Sequence, residues 1–387
     1  MKSLKKLLSL SLVCVLAVSA LVGCGGKKGG GNSDTYKIGG IGPTTGEAAI
    51  YGTAVSNAAK LAVDEINAAG GIDGKKIEFD FQDDQNDTEK AVNAYNTLKD
   101  WGMQILMGTV TTQPCVEVAG KTAADNMFQL TPSASSTDVI VNDNAFQVCF
   151  TDPNQGLVSA DYIADNALAK KVAIIYDSSS VYSSGIEEQF VKEAAVKGLE
   201  IVANEAFTTD SKTDFSTQLQ KAQDGGAELL FLPIYYTEAS IILTQANTMG
   251  FKPVFFGVDG MDGILGVENF DTSLAEGVML LTPFAADAED EATQNFVKAY
   301  QDAYGEVPNQ FAADAYDAIY IIKAAIEKTG VKPDLSAGEM GDALKSVMSE
   351  LSIDGVTGKS MTWDEQGAVS KSPMAVVIEN GAYKAMQ

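Results

Sequence analysis

The stretch from Tyr36 to Asp84, YKIGGIGPTTGEAAIYGTAVSNAAKLAVDEINAAGGIDGKKIEFDFQDD, decides the fold. Lys37 to Ile41 and Lys76 to Gln82 are runs of strand length. Between them, Ala, Leu, Val and Ile recur at three- and four-residue steps from Ala48 to Ala69, before a pair of glycines. Such spacing is typical of a helix with a glycine stop. The stretch therefore predicts a strand, a helix and a second, parallel strand.

The same alternation continues along the chain and predicts parallel sheets that helices cover on both faces. Ten strands exceed one compact sheet, so we predict an α/β fold of two doubly wound parallel-sheet lobes, which suits the length of 387 residues. The further predicted strands are Ile105 to Gly108, Phe128 to Thr131, Ala145 to Phe150, Lys171 to Tyr176, Glu200 to Ala206, Leu229 to Ile234, Val254 to Val258 and Val278 to Thr282.

Turn residues indicate where the first lobe ends. The segment Thr151 to Gly156 (TDPNQG) separates a predicted strand from the next helix, so we place the first crossover there. A strand at Gly277 to Phe284 is followed by two long helices, Glu291 to Tyr304 and Phe311 to Thr329. If these helices return to the first lobe, a multi-segment hinge joins the lobes and permits closure with little twisting. The predicted lobes are residues 36–153 with about 284–360, and residues 154–283 with about 361–387.

The N-terminus carries an export signal. Met1 to Lys6 is basic, and Leu7 to Gly23 is apolar but too short and wrongly flanked for a stable membrane span, as in a signal peptide. The run ends in Leu21-Val22-Gly23-Cys24, which is similar to the lipobox of bacterial lipoproteins, and a glycine-rich polar segment follows. We predict a signal peptide at 1–23, lipidation of Cys24, a flexible tether at 24–35 and an extracytoplasmic, lipid-anchored chain. A plain signal peptide with an incidental cysteine is the alternative.

Composition excludes several classes of protein. The chain has 52 acidic and 27 basic residues and a net charge of −25, so a nucleic-acid partner is not expected. It has no histidine, which excludes His-dependent catalytic triads and His-ligated zinc. We predict no cofactor, no metal site and no enzymatic activity.

Two cysteines, Cys115 and Cys149, remain in the folded part once the leader and Cys24 are set aside. An extracytoplasmic compartment permits a disulfide between them, whereas buried free thiols are also common. The sequence leaves both states open.

Several landmarks carry a family resemblance. The segments 38–46 (IGGIGPTTG), 64–74 (DEINAAGGIDG) and 81–84 (FQDD) resemble the opening of the leucine/isoleucine/valine-binding protein family. The resemblance extends over residues 36–387 and implies the type I periplasmic-binding fold and service to an ABC importer of branched-chain and related amino acids. Later landmarks in the family's order are GTVTTQP at 108–114, TPSAS at 131–135, YYTE at 235–238, GVDG at 257–260 and TWDEQG at 362–367.

Hydroxyl side chains at two predicted strand ends are candidates for binding a ligand carboxylate. Thr112 lies at the start of a predicted helix, where free amides and the helix dipole favour an anion. Ser133 and Ser135 follow the next strand, at the edge where doubly wound sheets bind ligands. By resemblance, these positions match the family's carboxylate and ammonium contacts. Ordinary helix capping, with Ser135 three residues before Asp138, is the alternative.

Asp259 is the candidate for an ammonium group. It directly follows the apolar strand Val254 to Val258, where a carboxylate would face the cleft, and charge-assisted hydrogen bonds to ammonium are strong. The family commonly has glutamate at this position, so the shorter aspartate changes how far the carboxylate extends towards a ligand. A simple turn aspartate is the alternative.

Aromatic residues near strand ends are candidates for the wall around a ligand side chain, because they bring large apolar area with few rotatable bonds. Three of the four match aromatic positions of the family, although taken singly such residues belong to the core more often. The candidates are Tyr51, Tyr182, Tyr235 and Phe284.

The sequence thus predicts a solute-binding protein of an ABC importer that captures an amino acid, branched-chain by resemblance, between two lobes and delivers it to a membrane permease. Another small carboxylate or amide as cargo, or a sensor role, stays open. An enzyme is disfavoured: residues 40–46 form only a loosely Rossmann-like glycine turn, in which Pro43 removes a backbone donor.

Overall fold

The computed structural model describes residues 34–386, which contain two β-sheets. The first sheet has the order β2-β1-β3-β4-β5, and all neighbouring strands are parallel. β5 ends three residues earlier than predicted, because the chain turns there towards the next helix. The strands are β1 Thr35–Gly42, β2 Lys76–Asp83, β3 Ile105–Gly108, β4 Phe128–Thr131 and β5 Ala145–Gln147.

The second sheet has the order β12-β11-β10-β9-β8-β6-β7. Its strands from β6 to β10 pair in parallel, whereas β11 is antiparallel to both β10 and β12. The strands are β6 Lys171–Asp177, β7 Glu200–Phe207, β8 Leu229–Leu232, β9 Val254–Gly257, β10 Met279–Thr282, β11 Met374–Glu379 and β12 Ala382–Ala385.

Ten α-helices connect and cover these strands within residues 34–386. Five of them end at a glycine with positive φ, and side-chain caps begin several of them. Asp87, for example, accepts from the Lys90 amide. They are α1 Ala49–Ala68, α2 Thr88–Trp101, α3 Thr112–Asp125, α4 Asp152–Asp165, α5 Val181–Lys197, α6 Ser216–Asp224, α7 Tyr236–Met249, α8 Glu291–Tyr304, α9 Gln310–Thr329 and α10 Ala337–Lys345.

The chain passes from one sheet to the other more than once. After β5 it enters α4 and β6, and after β10 it enters α8 and α9, which pack against α1 on the first sheet. Trp363 then donates from Nε1 to the Gln147 carbonyl of β5 at 2.8 Å, before β11 rejoins the second sheet. The predicted α/β fold is confirmed, with several connections between the sheets. The exact lobe boundaries stay a prediction.

A buried ion pair lies on the last of these connections. Lys371 donates to Asp314 Oδ1 at 2.7 Å and to Thr357 Oγ1 at 2.5 Å, and the two charged side chains are 1% and 3% exposed. Asp317, one turn further along α9, accepts from the amides of Val356 and Thr357 and from the Thr357 hydroxyl. The network ties α9 to the segment that leads into β11.

The predictions about the leader and Cys24 lie outside the described residues. Cys115 and Cys149 are free thiols, both buried. Within residues 34–386, no helix is long and apolar enough to span a bilayer.

Two adjacent aspartates at the end of β2 have opposite electrostatic environments. Burial raises the pKa of Asp84 to about 7, and its Oδ2 lacks a partner. Burial of Asp83 is outweighed by hydrogen bonds from Thr45 and Thr44, at 2.5 and 2.9 Å, so the pKa of Asp83 is lowered. Ionisation of Asp84 therefore destabilises the folded state, whereas ionisation of Asp83 stabilises it.

We expect Asp84→Asn to raise the free energy of unfolding at neutral pH. With a folded pKa above the unfolded one, wild-type stability is lost as pH rises towards about 7. The gain should be on the order of 2 kcal/mol at about pH 8 and shrink towards about pH 4, measured by urea denaturation. Asp83→Asn is the matched control and should destabilise at about pH 8. Equal effects of Asp84→Asn at both pH values would contradict this assignment.

Candidate ligand-binding site

A small cavity lies where the carboxyl ends of β3 and β4 in one sheet face those of β8 and β9 in the other. Seven of the eight candidate ligand residues line it: Tyr51, Thr112, Ser133, Ser135, Tyr182, Tyr235 and Asp259. The sequence pattern therefore brings together residues that are more than 200 positions apart. Four further residues complete the wall: Val110, Thr111, Gly260 and Phe311.

The N-terminus of α3 forms one side of this cavity. Thr112 is the first helical residue, and its Oγ1 accepts from the Ser135 amide at 3.3 Å. Thr111 occupies the N-cap position but makes no capping hydrogen bond, and its buried hydroxyl has no partner. A helix N-terminus without a side-chain cap keeps free amides and the positive end of its dipole. This side of the cavity favours an anionic group.

The segment after β4 adds two serines with different roles. Ser133 donates to the Val110 carbonyl at 2.6 Å and holds the two loops together. Ser135 is 1% exposed, and its hydroxyl makes no close hydrogen bond, although it interacts with the buried Asp152 carboxyl group. The cap of the following 3₁₀ helix comes from Ser136, which accepts from the Asp138 amide. Capping thus does not occupy the Ser135 hydroxyl.

Asp259 lies on the opposite side, directly after β9. Its Oδ1 accepts from the Tyr182 hydroxyl at 2.6 Å, and its amide donates to Gln155 Oε1 at 3.2 Å. Burial raises the pKa of Asp259 to about 7, although the Tyr182 hydrogen bond lowers it in part. The next residue must be small, because a Cβ on Gly260 would lie 2.5 Å from the Tyr182 oxygen. Asp259 is therefore a fixed, buried carboxyl group that titrates near neutrality.

Aromatic rings close the remaining wall. The Tyr182 and Tyr235 centroids are 5.0 Å apart, and the Tyr51 ring lies 5.3 Å from that of Tyr235 and 4.4 Å from that of Phe311. Tyr51 also donates to the Gly260 carbonyl. Burial raises the pKa of Tyr51 and of Tyr182, which keeps both neutral. The wall presents mostly apolar ring surface.

The cavity has a volume of about 10 Å³, about the space of a single water molecule. The rings and hydroxyls from the two sides therefore fill almost all of the space between them in this conformation. A solute the size of an amino acid requires the two sides to separate.

Comparison with known proteins decides the family. The model of the family described as periplasmic binding protein matches residues 35–382. The chain belongs to this family. The sequence-based recognition of leucine/isoleucine/valine-binding proteins is confirmed.

Among relatives of this periplasmic binding protein is the Leu/Ile/Val-binding protein homolog 3 of Brucella melitensis. It is 30% identical over 86% of this chain and 88% of its own length. A solved structure with a similar fold is that of LivJ, the branched-chain amino acid transporter substrate-binding protein of Streptococcus pneumoniae, in complex with isoleucine. LivJ is 31% identical to this chain, with a TM-score of 0.82, and the match covers 91% of this chain and 98% of the LivJ chain. A solute-binding protein of Rhodopseudomonas palustris, solved in complex with 3,4-dihydroxybenzoic acid, shares the fold with a TM-score of 0.80. It is 22% identical, and the match covers 92% of this chain and 96% of that protein's chain.

One candidate residue of this periplasmic binding protein lies elsewhere. Phe284 follows β10 and is buried against Phe296, with ring centroids 5.9 Å apart. It lines a different, larger cavity. Phe311, at the start of α9, takes the place among the tyrosines that the sequence assigned to Phe284. Its position at the start of a predicted helix, far from any predicted strand end, gave no signal that the ring reaches the site.

Two residues of α4 that sequence reasoning missed lie behind the site. Asp152 is 1% exposed, and neither carboxyl oxygen has a hydrogen-bond partner. Burial raises its pKa well above the ordinary value, and an interaction with the Ser135 hydroxyl lowers it in part. Gln155 accepts from the Asp259 amide, while its own Nε2 has no partner. The polar residues in Asp152-Pro153-Asn154-Gln155 were interpreted as a turn, although Pro153 is typical of a first helical turn.

Proposed function

We propose that this chain is the extracytoplasmic solute-binding component of an ABC importer and that it captures a branched-chain amino acid without chemical change. The observation that carries the proposal is the opposition of buried hydroxyls near a helix N-terminus to a buried carboxyl group across one cavity. Its relatives include proteins named for leucine, isoleucine and valine binding, and the LivJ neighbour holds isoleucine.

The ligand carboxylate is assigned to the α3 side. The hydroxyls of Thr111 and Ser135 are buried donors without a close hydrogen bond, and such donors are costly to leave unpaired. A carboxylate accepts from both, and the free amides at the start of α3 add further donors. Thr112 supports this arrangement through its contact with the Ser135 amide.

The ligand ammonium is assigned to Asp259. The carboxyl group already accepts from Tyr182, and an ammonium adds a charge-assisted hydrogen bond that stabilises the ionised form. The carboxyl end and ammonium end together recognise the group common to all amino acids. The tyrosines and Phe311 then surround an apolar side chain.

Binding proceeds by closure in this proposal. Because the cavity is almost filled, the solute enters while the two sides are apart, contacts the α3 side, and is enclosed when Asp259 and the tyrosines approach. The closed form then docks on a membrane permease.

A lipid anchor at Cys24 completes the proposal. The signal-like leader ends at this cysteine, and the glycine-rich segment after it would tether the folded part to the membrane surface. Mass spectrometry of the membrane-extracted chain tests this part, because an unacylated residue 24 contradicts it.

The function is tested by calorimetric titration of the chain with leucine, isoleucine and valine. Leucinamide lacks the carboxylate and 4-methylpentanoate lacks the ammonium, so each should bind roughly 100-fold more weakly or not at all. Binding of 4-methylpentanoate or benzoate in preference to leucine would instead favour a carboxylate without an amino group as cargo. A folded sample that binds none of the three amino acids overturns the branched-chain assignment.

A further inference from the structure

A second cavity, much larger than the candidate site, shares no lining residue with it. It has a volume of about 710 Å³, within the range typical of pockets for small organic ligands. Ile50 of α1, Phe284 after β10 and Val297 of α8 are among the apolar residues that line it. Its walls therefore come from the second sheet and from the helices that return to the first.

One buried carboxyl group in this wall lacks part of its hydrogen bonding. Asp262 is 5% exposed and lines the cavity. Its Oδ2 accepts from the Gln310 amide at 3.0 Å, whereas its buried Oδ1 makes no close hydrogen bond. Tyr383 lies on the same wall, where its hydroxyl accepts from the Gly263 amide at 3.0 Å and interacts with the Asp262 carboxyl group. An unpaired buried carboxyl oxygen is costly unless a donor reaches it.

The other charged groups of the wall leave an excess of negative charge. Lys384 pairs with Asp287 at 3.6 Å, so these two charges offset each other. Asp262 and Glu306 then remain, and Glu306 accepts only a neutral hydroxyl hydrogen bond, from Tyr300 at 3.3 Å, among the contacts of the described residues. An apolar cavity with this surplus suits a cation with a hydrocarbon body.

We propose that this cavity is a second ligand site, which binds a small apolar amine through its ammonium group at Asp262. The hydrocarbon part of the amine contacts Ile50, Phe284 and Val297. Glu306 and Tyr300 line the same cavity.

The second site is linked to the first by one short segment. Asp259 faces the amino-acid cavity and Asp262 lines the larger one, and the Asp262 amide donates to the Asp259 carbonyl at 2.9 Å. Gln310 contacts both residues: its amide donates to Asp262, and its side chain donates to the Asp259 carbonyl at 3.1 Å. Any change in amino-acid affinity that an amine at Asp262 causes is matched by an equal change in amine affinity caused by the amino acid.

The experiment titrates the full chain with cyclohexylammonium at about pH 8, where Asp262, whose pKa burial raises to about 6, is ionised. Asp262→Asn keeps the shape and an acceptor for the Gln310 amide but removes the charge. Val307→Trp fills the cavity from its exposed rim, where Val307 is 58% exposed. We expect both variants to bind the amine roughly tenfold more weakly or worse, and cyclohexanecarboxylate not to bind the wild type.

Other results overturn the proposal. The first is an amine affinity that stays unchanged in folded Asp262→Asn and Val307→Trp variants. The second is that the wild type binds no amine. The third is amine binding that Asp259→Asn abolishes and that leucine displaces competitively. The last result would place the amine in the first cavity. Because the readout is amine binding, failure here leaves the amino-acid function untouched, and failure of leucine binding leaves the amine test intact.

Discussion

Replacing Lys371 with methionine is expected to lower the free energy of unfolding by roughly 3–5 kcal/mol. The side chains of Lys371 and Asp314 are 1% and 3% exposed, and their charged atoms are 2.7 Å apart. Methionine fills similar volume but leaves the Asp314 carboxylate buried without its counter-ion. The Thr357 hydroxyl loses its lysine donor as well. The cost comes from the isolated charge that remains.

Chemical denaturation monitored by circular dichroism measures this loss. Lys298→Met is the matched control, because Lys298 pairs with Asp302 on the surface, where the side chains are 74% and 67% exposed, and should cost well under ~1 kcal/mol. The double variant Lys371→Met with Asp314→Asn removes both charges and should recover much of the loss. A cost for Lys371→Met as small as that of the control would show that Asp314 tolerates isolation.

Asp259→Asn is expected to weaken leucine binding by roughly 30-fold to 3,000-fold, since removing one partner of a buried charge pair costs about 2–5 kcal/mol. Asparagine keeps the size of the side chain and can still accept from Tyr182, so the loss isolates the charge. Calorimetric titration measures the affinity. Glu268→Ala, an exposed carboxylate nine residues further on, is the control and should leave affinity unchanged. Wild-type affinity in a folded Asp259→Asn variant would remove Asp259 from the site.

The same carboxyl group makes binding depend on pH. Burial raises the pKa of free Asp259 to about 7, and a bound ammonium lowers it, so binding releases a proton below that pH. Leucine affinity should therefore rise with pH up to about 7 and then level, with a slope of up to about tenfold per pH unit on the acidic side. Asp259→Asn should flatten this profile. A flat wild-type profile between about pH 5.5 and 8.5 would contradict the proposed proton release.

Strand and helix periods predicted the parallel sheets well, because each buried strand has a continuous apolar run and each helix a 3.6-residue repeat. The hairpin of β11 and β12 was missed. Its turn at Asn380-Gly381 has φ values of 54° and 72°, typical of a tight hairpin, but the flanking strands are short and half exposed. A parallel-sheet template does not anticipate an antiparallel addition at the edge.

The site was predictable where a residue lies in the short segment after a strand. Asp259 and Ser135 have such positions after β9 and β4, and the carboxyl edges of parallel strands bring them together. Phe311 was not predictable in this way, since it reaches the cavity from a helix that begins 50 positions after Gly260. Phe284 follows a strand too, yet lies at the other cavity because β10 is next to the antiparallel edge. Strand-end position therefore narrows the candidates but does not give the direction of a side chain.

The near absence of free volume between the tyrosines and the α3 side has a kinetic consequence. A solute enclosed between these two sides has no path outward until they separate, so its dissociation rate is set by the frequency of that separation. The residence time of the solute then depends only partly on the strength of its contacts with the protein. A permease that holds the two sides apart would shorten the residence time of every solute alike, without any contact to the solute itself.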